Sequence, residues 1–262
     1  MELLTYEVIL LGIVQGLTEW LPISSTGHIR LLKYFLQISF PLIFDVSLHI
    51  GTLIVTLVFF RSDVKGVFKA LIRFDFKSKD GAIIPLIAIG SIPTAIIGLL
   101  VNVFLEEKLH GLNALTIAFM ASGAIVWFSK FKWREERRMN WFSAVMVGIA
   151  QGFSTIPGLS RSGLTIAVSL MLGIGYEEAF KFSFLLSIPA IIGALTLTFY
   201  TQSEILFKSR VGLDSLVGSL IAMLIGYLSL QILHRFIRKF HVFGFYSIIL
   251  GLTLAIINFS AK

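Results

Sequence analysis

Two short segments of this sequence hold side chains that could carry out chemistry on a phosphate. Residues 19–28 combine a carboxylate, three consecutive hydroxyls and an imidazole in the order Glu-Trp-Leu-Pro-Ile-Ser-Ser-Thr-Gly-His. Residues 157–163 read Pro-Gly-Leu-Ser-Arg-Ser-Gly, and Arg161 is the only basic residue between Arg138 and Lys181. A hydroxyl with a neighbouring base can act as a nucleophile, and a guanidinium fork matches phosphate oxygens. The two segments together predict phosphoryl transfer or hydrolysis of a phosphate ester.

The first segment gathers its polar groups where an apolar helix is expected to end. Glu19 follows Gln15 by four residues, so the two side chains share a helix face, and Pro22 ends that helix. The groups that follow are Ser24, Ser25, Thr26, Gly27 and His28. A capping and turn segment is the alternative interpretation, because Ser and Thr cap helices and Gly permits a tight turn.

The second segment has the composition of an anion-binding helix start. The hydroxyls of Ser160, Ser162 and Thr165, with backbone N–H groups freed by Gly163, would complete a cradle beside Arg161. The alternatives are an arginine that snorkels to the membrane interface or one that pairs with a carboxylate. If the two segments meet, one site would contain Glu19, Ser24, Ser25, Thr26, His28, Ser160, Arg161 and Ser162.

The composition excludes several classes of protein. Hydrophobic residues make up 56% of the 262 residues and charged residues only 14%, so neither a cytosolic globular enzyme nor a disordered chain is expected. The absence of Cys excludes disulfides, thiolate metal sites and Cys nucleophiles. The net charge of +7 falls in loops between apolar runs, which favours membrane orientation and argues against nucleic-acid binding.

Apolar windows predict an all-α integral membrane protein with six transmembrane helices. About 20 apolar residues cross the bilayer core as a helix, and the windows are residues 41–60, 82–105, 111–129, 182–203, 215–233 and 242–261. Two further apolar regions, residues 8–36 and 139–176, are each interrupted by one of the polar segments. Their helical pieces are too short to cross twice, so each region is expected to form a re-entrant helical hairpin.

The two interrupted regions resemble each other at an offset of 136 residues. The stretch Gly12–Gly16 matches Gly148–Gly152, and Gly27 matches Gly163. We therefore expect two repeats, residues 1–130 and 131–262, each with one hairpin and three spans within one membrane domain; chance similarity is the alternative. Three crossings per repeat would make the second repeat inverted relative to the first.

The loop charges predict the orientation in the membrane. Residues 61–80 contain six Lys and Arg residues and residues 130–140 contain five, whereas residues 106–110 contain one. The positive-inside rule places the first two loops in the cytoplasm and the third outside. The first hairpin would then enter from outside and the second from inside.

Three stretches of the sequence resemble those of a known family. Residues 15–28, Gln-Gly-Leu-Thr-Glu-Trp-Leu-Pro-Ile-Ser-Ser-Thr-Gly-His, are similar to the first signature of the undecaprenyl-pyrophosphate phosphatases, the bacitracin-resistance family. Residues 157–163 resemble the second signature, and residues 182–189 resemble a third shared stretch. Gln15 stands where the family often has Glu, which leaves Glu19 as the more certain acid.

This resemblance implies a fold, a reaction and a location. The fold is six spans with two re-entrant hairpins in an inverted repeat. The reaction removes the terminal phosphate of undecaprenyl diphosphate, so that the carrier lipid is recycled for peptidoglycan synthesis and bacitracin resistance follows. It implies a divalent cation, Mg²⁺ or Ca²⁺, and a place in the bacterial cytoplasmic (inner) membrane with the active site towards the periplasmic side. The oligomeric state stays open, with a homodimer as one option.

Roles can be assigned to the candidate residues on this basis. Ser25 is expected to be the nucleophile and His28 its general base, while Arg161 binds the diphosphate. Glu19 and Gln15 would hold the metal, or Glu19 would orient His28. Phosphate-binding groups would be Ser24, Thr26, Ser160, Ser162 and Thr165. Attack by His28 itself, or by water, is the alternative.

A transporter is the alternative function. Inverted repeats with broken helices are also typical of transporters, and a lipid-phosphate or anion transporter would need Arg161 and the breaks without a Ser–His pair. Second candidates for the site are Asp45, His49 and Gln151.

Overall fold

The chain folds into helices throughout the part that the structure describes. This computed structural model describes residues 6–105, 109, 111–131, 137–208 and 210–260, without the side chains of residues 206–208. The α-helices are α1 (Tyr6–Trp20), α2 (Ser25–Leu36), α3 (Leu42–Phe59), α4 (Arg61–Ile72), α5 (Ile83–Leu105), α6 (Leu112–Phe128), α7 (Trp141–Phe153), α8 (Arg161–Met171), α9 (Tyr176–Lys208), α10 (Val211–Arg235) and α11 (Phe243–Ser260). Short 3₁₀ segments cover Ser129–Phe131 and Ile237–Val242.

Six of these helices are long and apolar enough to cross a membrane. They are α3, α5, α6, α9, α10 and α11, with 18 residues or more in each candidate span. A helix rises 1.5 Å per residue, so about 20 residues match the hydrocarbon core. The six predicted windows are confirmed, although α9 begins at Tyr176, several residues before its window. Glu177 and Glu178 in its first turn complement the positive end of the helix dipole there.

Glycines let the helices approach closely. A Cβ atom on Gly148 of α7 would overlap the carbonyl oxygen of Gly90 on α5, and a Cβ atom on Gly16 of α1 would lie 2.8 Å from the carbonyl oxygen of Ala222 on α10. Small residues at such contacts allow backbone-to-backbone packing in a membrane, where the hydrophobic effect does not drive helices together. The short helices α1 and α7 are thereby each fixed against a full span.

An aromatic cluster fixes the end of α1. Trp20 is fully buried and its ring centroid lies 5.3 Å from that of Phe184 on α9. Phe184 also packs on Phe180 at 4.7 Å and on Phe60 at 5.9 Å. Buried aromatic side chains contribute large apolar area and specific geometry, so this cluster holds the residue next to Glu19 in place.

The charged loop predicted for residues 61–80 contains a helix. α4 begins immediately after Phe60, whose backbone (φ −94°, ψ 24°) separates it from α3. An ion pair joins Asp63 of α4 to Lys181 of α9. The density of charge in this stretch suggested a loop, whereas the apolar residues between the charges recur at helical spacing.

Both interrupted regions form a pair of short helices around a break. α1 and α2 flank residues 21–24, and α7 and α8 flank residues 154–160. The breaks lie at the polar segments, as the sequence predicts. The re-entrant course of these pairs, and the inverted relation between residues 1–130 and 131–262, stay predictions.

Candidate active site

The first break is shaped by a serine with an unusual backbone. Ser24 has φ 71° and ψ 98°, and its hydroxyl accepts a hydrogen bond of 3.3 Å from the N–H of Gly27, which caps α2. Positive φ is costly for a residue with a side chain and tends to occur where function requires it. Because its hydroxyl accepts from the N–H of Gly27, Ser24 caps α2, as the alternative interpretation expected. Ser25 is then the first residue of that helix.

The second break ends in a similar cap. The hydroxyl of Ser160 accepts a hydrogen bond of 3.1 Å from the N–H of Gly163, and the N–H of Ser160 donates to the hydroxyl of Ser122 at 3.1 Å. Gly158 has φ 98°, which a residue with a Cβ atom rarely adopts. These contacts position Arg161 as the first residue of α8.

The two breaks touch each other. A Cβ atom on Gly27 would lie 2.9 Å from the Cα atom of Gly158 and 2.5 Å from Cζ of Phe119, so the two backbones come close beside the Phe119 ring and leave no room for a side chain on Gly27. The hydroxyl of Ser162 lies 3.4 Å from the carbonyl oxygen of Leu21 across the same contact. Segments more than a hundred residues apart in the sequence thus form one site, as the sequence predicts.

Glu19 is the centre of this site. Its Oε1 accepts from Nη2 of Arg161 at 2.5 Å, and its Oε2 accepts from Oγ of Ser25 at 2.6 Å and from Nε2 of Gln15 at 3.2 Å. The side chain of Glu19 is only 5% exposed. A buried carboxylate is tolerated when it is paired and hydrogen-bonded, and these partners meet that requirement.

His49 completes the surroundings of Glu19. Its Nδ1 accepts a hydrogen bond of 3.1 Å from Nε2 of Gln15 and lies 3.5 Å from Oε1 of Glu19. In the sequence His49 was a second candidate only. The spacing of 34 residues between Gln15 and His49 gave no signal, because the contact depends on how α1 packs on α3.

A cavity of about 300 Å³ opens over these groups. Its polar lining includes, from the predicted set, Glu19, Ser24, Ser25, Thr26, Ser160 and Arg161. Its apolar side is formed by residues of α9, among them Ala190, Ile191 and Ala194. Nη1 of Arg161 is buried and has no hydrogen-bond partner among the residues that the structure describes, so a donor remains at this site.

Several lining residues were not among the sequence candidates: Thr94, Ser154, Thr155 and Ser187. Thr155 follows Glu19 by 136 residues, the offset of the predicted repeat, so that offset was a signal that could have found it. Gln151, a second candidate, lines the cavity and donates to the carbonyl oxygen of Leu186 at 3.2 Å.

Three other candidates lie behind or beside the cavity lining. The hydroxyl of Thr165 donates to the carbonyl oxygen of Arg161 at 2.7 Å and contacts that of Ser183 at 2.5 Å, so it supports the start of α8. Ser162 also packs at this start. Asp45 forms an ion pair of 2.7 Å with Lys33 and lines a neighbouring cavity. Phosphate binding by Ser162 and Thr165 stays a prediction.

His28 faces a different part of the protein from Ser25. Its Nδ1 donates to the carbonyl oxygen of Ser24 at 2.7 Å, and its Nε2 lies 2.8 Å from the hydroxyl of Tyr246 on α11. The ring also makes an edge contact with Phe119 on α6. Within the described residues, the lining of the site cavity does not include His28. Its nearest polar connection to the site is the backbone of Ser24.

The residues near Glu19 offer a divalent cation few ligands of their own. The described residues contain no group of three or more His, Asp or Glu side chains that could hold a metal ion. Oε1 of Gln15 is a buried oxygen to which no group in the described part of the chain donates a hydrogen bond, and Gln15 adjoins Glu19. Mg²⁺ commonly binds one or two carboxylates together with substrate phosphates, and Gln15 with Glu19 fits a cation of that kind.

Comparison with known proteins gives one consistent family. The model of the family described as bacitracin resistance protein BacA matches residues 8–253. A protein of Carboxydothermus hydrogenoformans named undecaprenyl-diphosphatase is 38% identical, over 98% of this chain and 99% of that protein. Proteins of the same name from Treponema denticola (39% identical, 96% of each chain) and Korarchaeum cryptofilum (35% identical, 95% and 97%) are also similar.

Proposed function

The chain belongs to the bacitracin resistance protein BacA family, and on that premise we propose that it hydrolyses undecaprenyl diphosphate to undecaprenyl phosphate and inorganic phosphate. The observation that carries this proposal is the group of Ser25, Glu19 and Arg161 at the floor of one cavity. It combines a hydroxyl, a proton acceptor and an anion-binding cation, which are the groups that phosphoryl transfer requires.

A lipid substrate is supported by an apolar groove next to the site. A groove of about 570 Å³ lies between α3 and α9, and Val46 borders both this groove and the site cavity. Its lining is largely apolar and includes Ile43, Ile50, Leu195 and Phe199. The first isoprene units of the lipid would lie in this groove while the diphosphate reaches Arg161.

Arg161 would bind the diphosphate and stabilise the charge that develops during transfer. Its Nη2 is held by Glu19 while Nη1 has no partner, so one edge of the guanidinium stays available for phosphate oxygens. Charge-assisted hydrogen bonds from Arg are strong and directional. Hydroxyls of Ser24, Thr26 and Ser160 would supply further donors around the terminal phosphate.

The transfer step follows from the hydrogen bond between Ser25 and Glu19. The hydroxyl oxygen of Ser25 would attack the terminal phosphorus while its proton passes to Oε2 of Glu19. The bond between that phosphorus and the bridging oxygen breaks, and undecaprenyl phosphate leaves with the bonding electrons. Water then attacks the phosphorus of the phosphoserine, and the bond from that phosphorus to the Ser25 oxygen breaks. The proton held by Glu19 returns to the Ser25 oxygen, and the phosphate leaves with the oxygen and protons of the water, one of which it can lose to solvent.

His28 has a different role in this proposal from the general base expected from sequence. Its hydrogen bond to the carbonyl oxygen of Ser24 would hold the strained backbone that orients Ser25. The proton acceptor closest to Ser25 is the carboxylate of Glu19, 2.6 Å away. Direct attack by His28 or by water is the competing mechanism.

We also propose that the reaction uses Mg²⁺ or Ca²⁺, held by Glu19 and Gln15 together with the diphosphate. When bound, the cation supplies positive charge that neutralises the phosphate oxygens. Gln15 would contribute its unpartnered Oε1, and its Nε2 would keep Glu19 and His49 in place.

We also propose a location and an orientation for the protein in the membrane. The helix pairs α1–α2 and α7–α8 would be re-entrant hairpins of two inverted repeats in the bacterial inner membrane, with the site open to the periplasmic side. The six candidate spans and the basic loops support this placement. There the reaction would recycle the carrier lipid for peptidoglycan synthesis, and an abundant enzyme would confer bacitracin resistance.

Phosphate release in detergent tests this function against transport. The purified full chain would be incubated in micelles with undecaprenyl diphosphate, with and without a chelator. Hydrolysis releases inorganic phosphate although no second compartment exists, whereas a transporter releases none. Arg161→Ala should abolish the release, while Arg235→Ala, which removes an exposed guanidinium at the end of α10, should preserve it. Equal release from the wild type and Arg161→Ala would contradict the proposal.

A further inference from the structure

The helix between two of the spans exposes apolar side chains. Among the residues of α4 only Ala70 is buried, whereas Phe68 is 61% exposed and Ile72 is 62% exposed. Leu71 is exposed beside them, and Phe74 continues the apolar surface beyond the helix. Contiguous exposed apolar surface marks an interaction site, and this one adjoins spans that run through lipid.

The same stretch carries an excess of positive charge. Its exposed cations are Arg61, Lys65, Lys69, Arg73, Lys77 and Lys79. None of the six forms an ion pair with a residue that the structure describes. Residues 61–80 contain three acids against these six cations. Asp63 pairs with Lys181, Asp75 accepts from the backbone N–H groups of Lys77 and Ser78, and the carboxylate of Asp80 lies next to Gly66 of α4. The positive charge therefore stays available to an external partner.

The two kinds of side chain lie on adjacent faces of α4. Phe68, Leu71 and Ile72 are three and four residues apart, which places them on one side of the helix. Lys65 and Lys69 lie four residues apart at the edge of this side, and Arg61, seven residues before Phe68, lies at its first turn. An apolar face with Lys and Arg along its edge is the pattern of a helix that lies in the plane of a membrane surface.

The position of α4 fixes it at that surface. A single residue, Phe60, separates it from the end of the candidate span α3, and it precedes the candidate span α5, so it lies at the ends of two candidate spans. Val64 packs against the main apolar core, and the ion pair between Asp63 and Lys181 ties α4 to α9. These contacts hold α4 against the protein at the ends of the two candidate spans.

We propose that residues 61–79, here named the interfacial segment, bind anionic phospholipid headgroups. The apolar side chains of α4 lie among the upper acyl chains, and the cations contact lipid phosphates beside them. Charge complementarity selects this partner, because a zwitterionic headgroup offers six unpaired cations no net charge. This inference stands on the interfacial segment and does not depend on the proposed phosphatase activity.

Lipid binding by the intact protein tests the proposal. The purified full chain would be titrated in mild detergent with short-chain phosphatidylglycerol or phosphatidylcholine, and bound lipid would be counted by native mass spectrometry. The wild type should prefer phosphatidylglycerol. Each Lys or Arg near an anionic surface contributes about a fivefold effect, so Lys65→Gln/Lys69→Gln should weaken phosphatidylglycerol binding about 25-fold and leave phosphatidylcholine binding unchanged.

The charge-conserving variant Lys65→Arg/Lys69→Arg is the matched control and should bind phosphatidylglycerol as the wild type does. A wild type with no preference for phosphatidylglycerol, or a glutamine variant that keeps the full preference, would overturn the proposal. Loss of a dimer in the glutamine variant, with lipid binding unchanged, would instead assign the surface to a second copy of the chain.

Discussion

Arg161 and Glu19 lie 142 positions apart in the chain, yet Nη2 of the arginine is 2.5 Å from Oε1 of the glutamate. Both side chains are largely buried, at 15% and 5% exposure. The pair joins a helix from each half of the sequence, so it is both a structural contact and the core of the proposed site.

Removing one partner of this pair should affect activity and stability together. Loss of a single electrostatic donor typically lowers the rate about 10²–10³-fold, and we expect at least this for Arg161→Ala. The variant also leaves Glu19 buried without its cation, which costs about 3–5 kcal/mol of stability. Thermal unfolding in detergent and phosphate release would be measured on the same preparation.

The double variant Glu19→Gln/Arg161→Ala separates the two effects. It removes the uncompensated carboxylate, so it should recover part of the lost stability while its activity stays low. If it were as unstable as Arg161→Ala, the ion pair would not be the source of the stability change.

The identity of the nucleophile can be read from the chemistry of a trapped adduct. We expect Ser25→Ala to lose the covalent phosphate and nearly all activity, whereas Thr26→Ala should retain the adduct. A phosphoserine survives acid quench and is lost in alkali, and a phosphohistidine behaves in the opposite way. An acid-labile adduct in the wild type would move the nucleophile from Ser25 to His28.

His49 should matter through its hydrogen bond with Gln15. His49→Leu removes the acceptor from Nε2 of Gln15, 3.1 Å away, and frees that amide to turn away from Glu19. Hydrogen bonds to charged networks are worth about 1.5–3 kcal/mol, so we expect a fall in kcat of about 10–100-fold. His49→Gln keeps an acceptor oxygen and should restore most of the activity; equal losses in both variants would exclude this role.

Tyr246→Phe tests the support of His28. The change removes the hydroxyl 2.8 Å from Nε2 of His28 and keeps the stacked ring at 5.7 Å. We expect about 1 kcal/mol of lost stability and a modest fall in kcat, with KM little changed. His28→Ala should lose far more, at least about 10²-fold, because it also frees the backbone at Ser24. Similar kinetics for the two variants would mean that the hydroxyl contributes the whole effect of His28.

Gln15→Glu tests the proposed cation. A second carboxylate beside Glu19 should lower the Mg²⁺ concentration needed for half-maximal phosphate release, since hard cations favour charged oxygen ligands. Gln15→Leu should raise it. Activity that is insensitive to chelator in all three proteins would remove the cation from the proposal.

Some of this architecture could be predicted from sequence because the membrane makes the signal simple. The windows that became α5 and α6 are long, mainly apolar runs without a charged residue, and a helix satisfies all backbone hydrogen bonds of such a run within lipid. The meeting of Glu19 with Arg161 was also predictable, because the repeat offset placed both in equivalent breaks.

Other features depend on packing that no local pattern reveals. The contact between His28 and Tyr246 spans 218 positions, and it arises only because α2 and α11 both pack against α6. His49 reaches Gln15 for a similar reason, through the contact of α1 with α3. The sequence analysis did not predict α4, because its charged residues are typical of a loop. A helix at a membrane surface has both such charges and the apolar residues of a span.

The close approach of Gly27 to Gly158 joins the two halves of the chain in one site. Each half of the chain carries an incomplete reaction centre: residues 1–130 hold the hydroxyl and the carboxylate, and residues 131–262 hold the guanidinium. Neither fragment alone should turn over substrate, yet two separately expressed halves could regain activity by docking at this seam. The rate of phosphate release would then measure how much of the two polypeptides has assembled within the lipid bilayer.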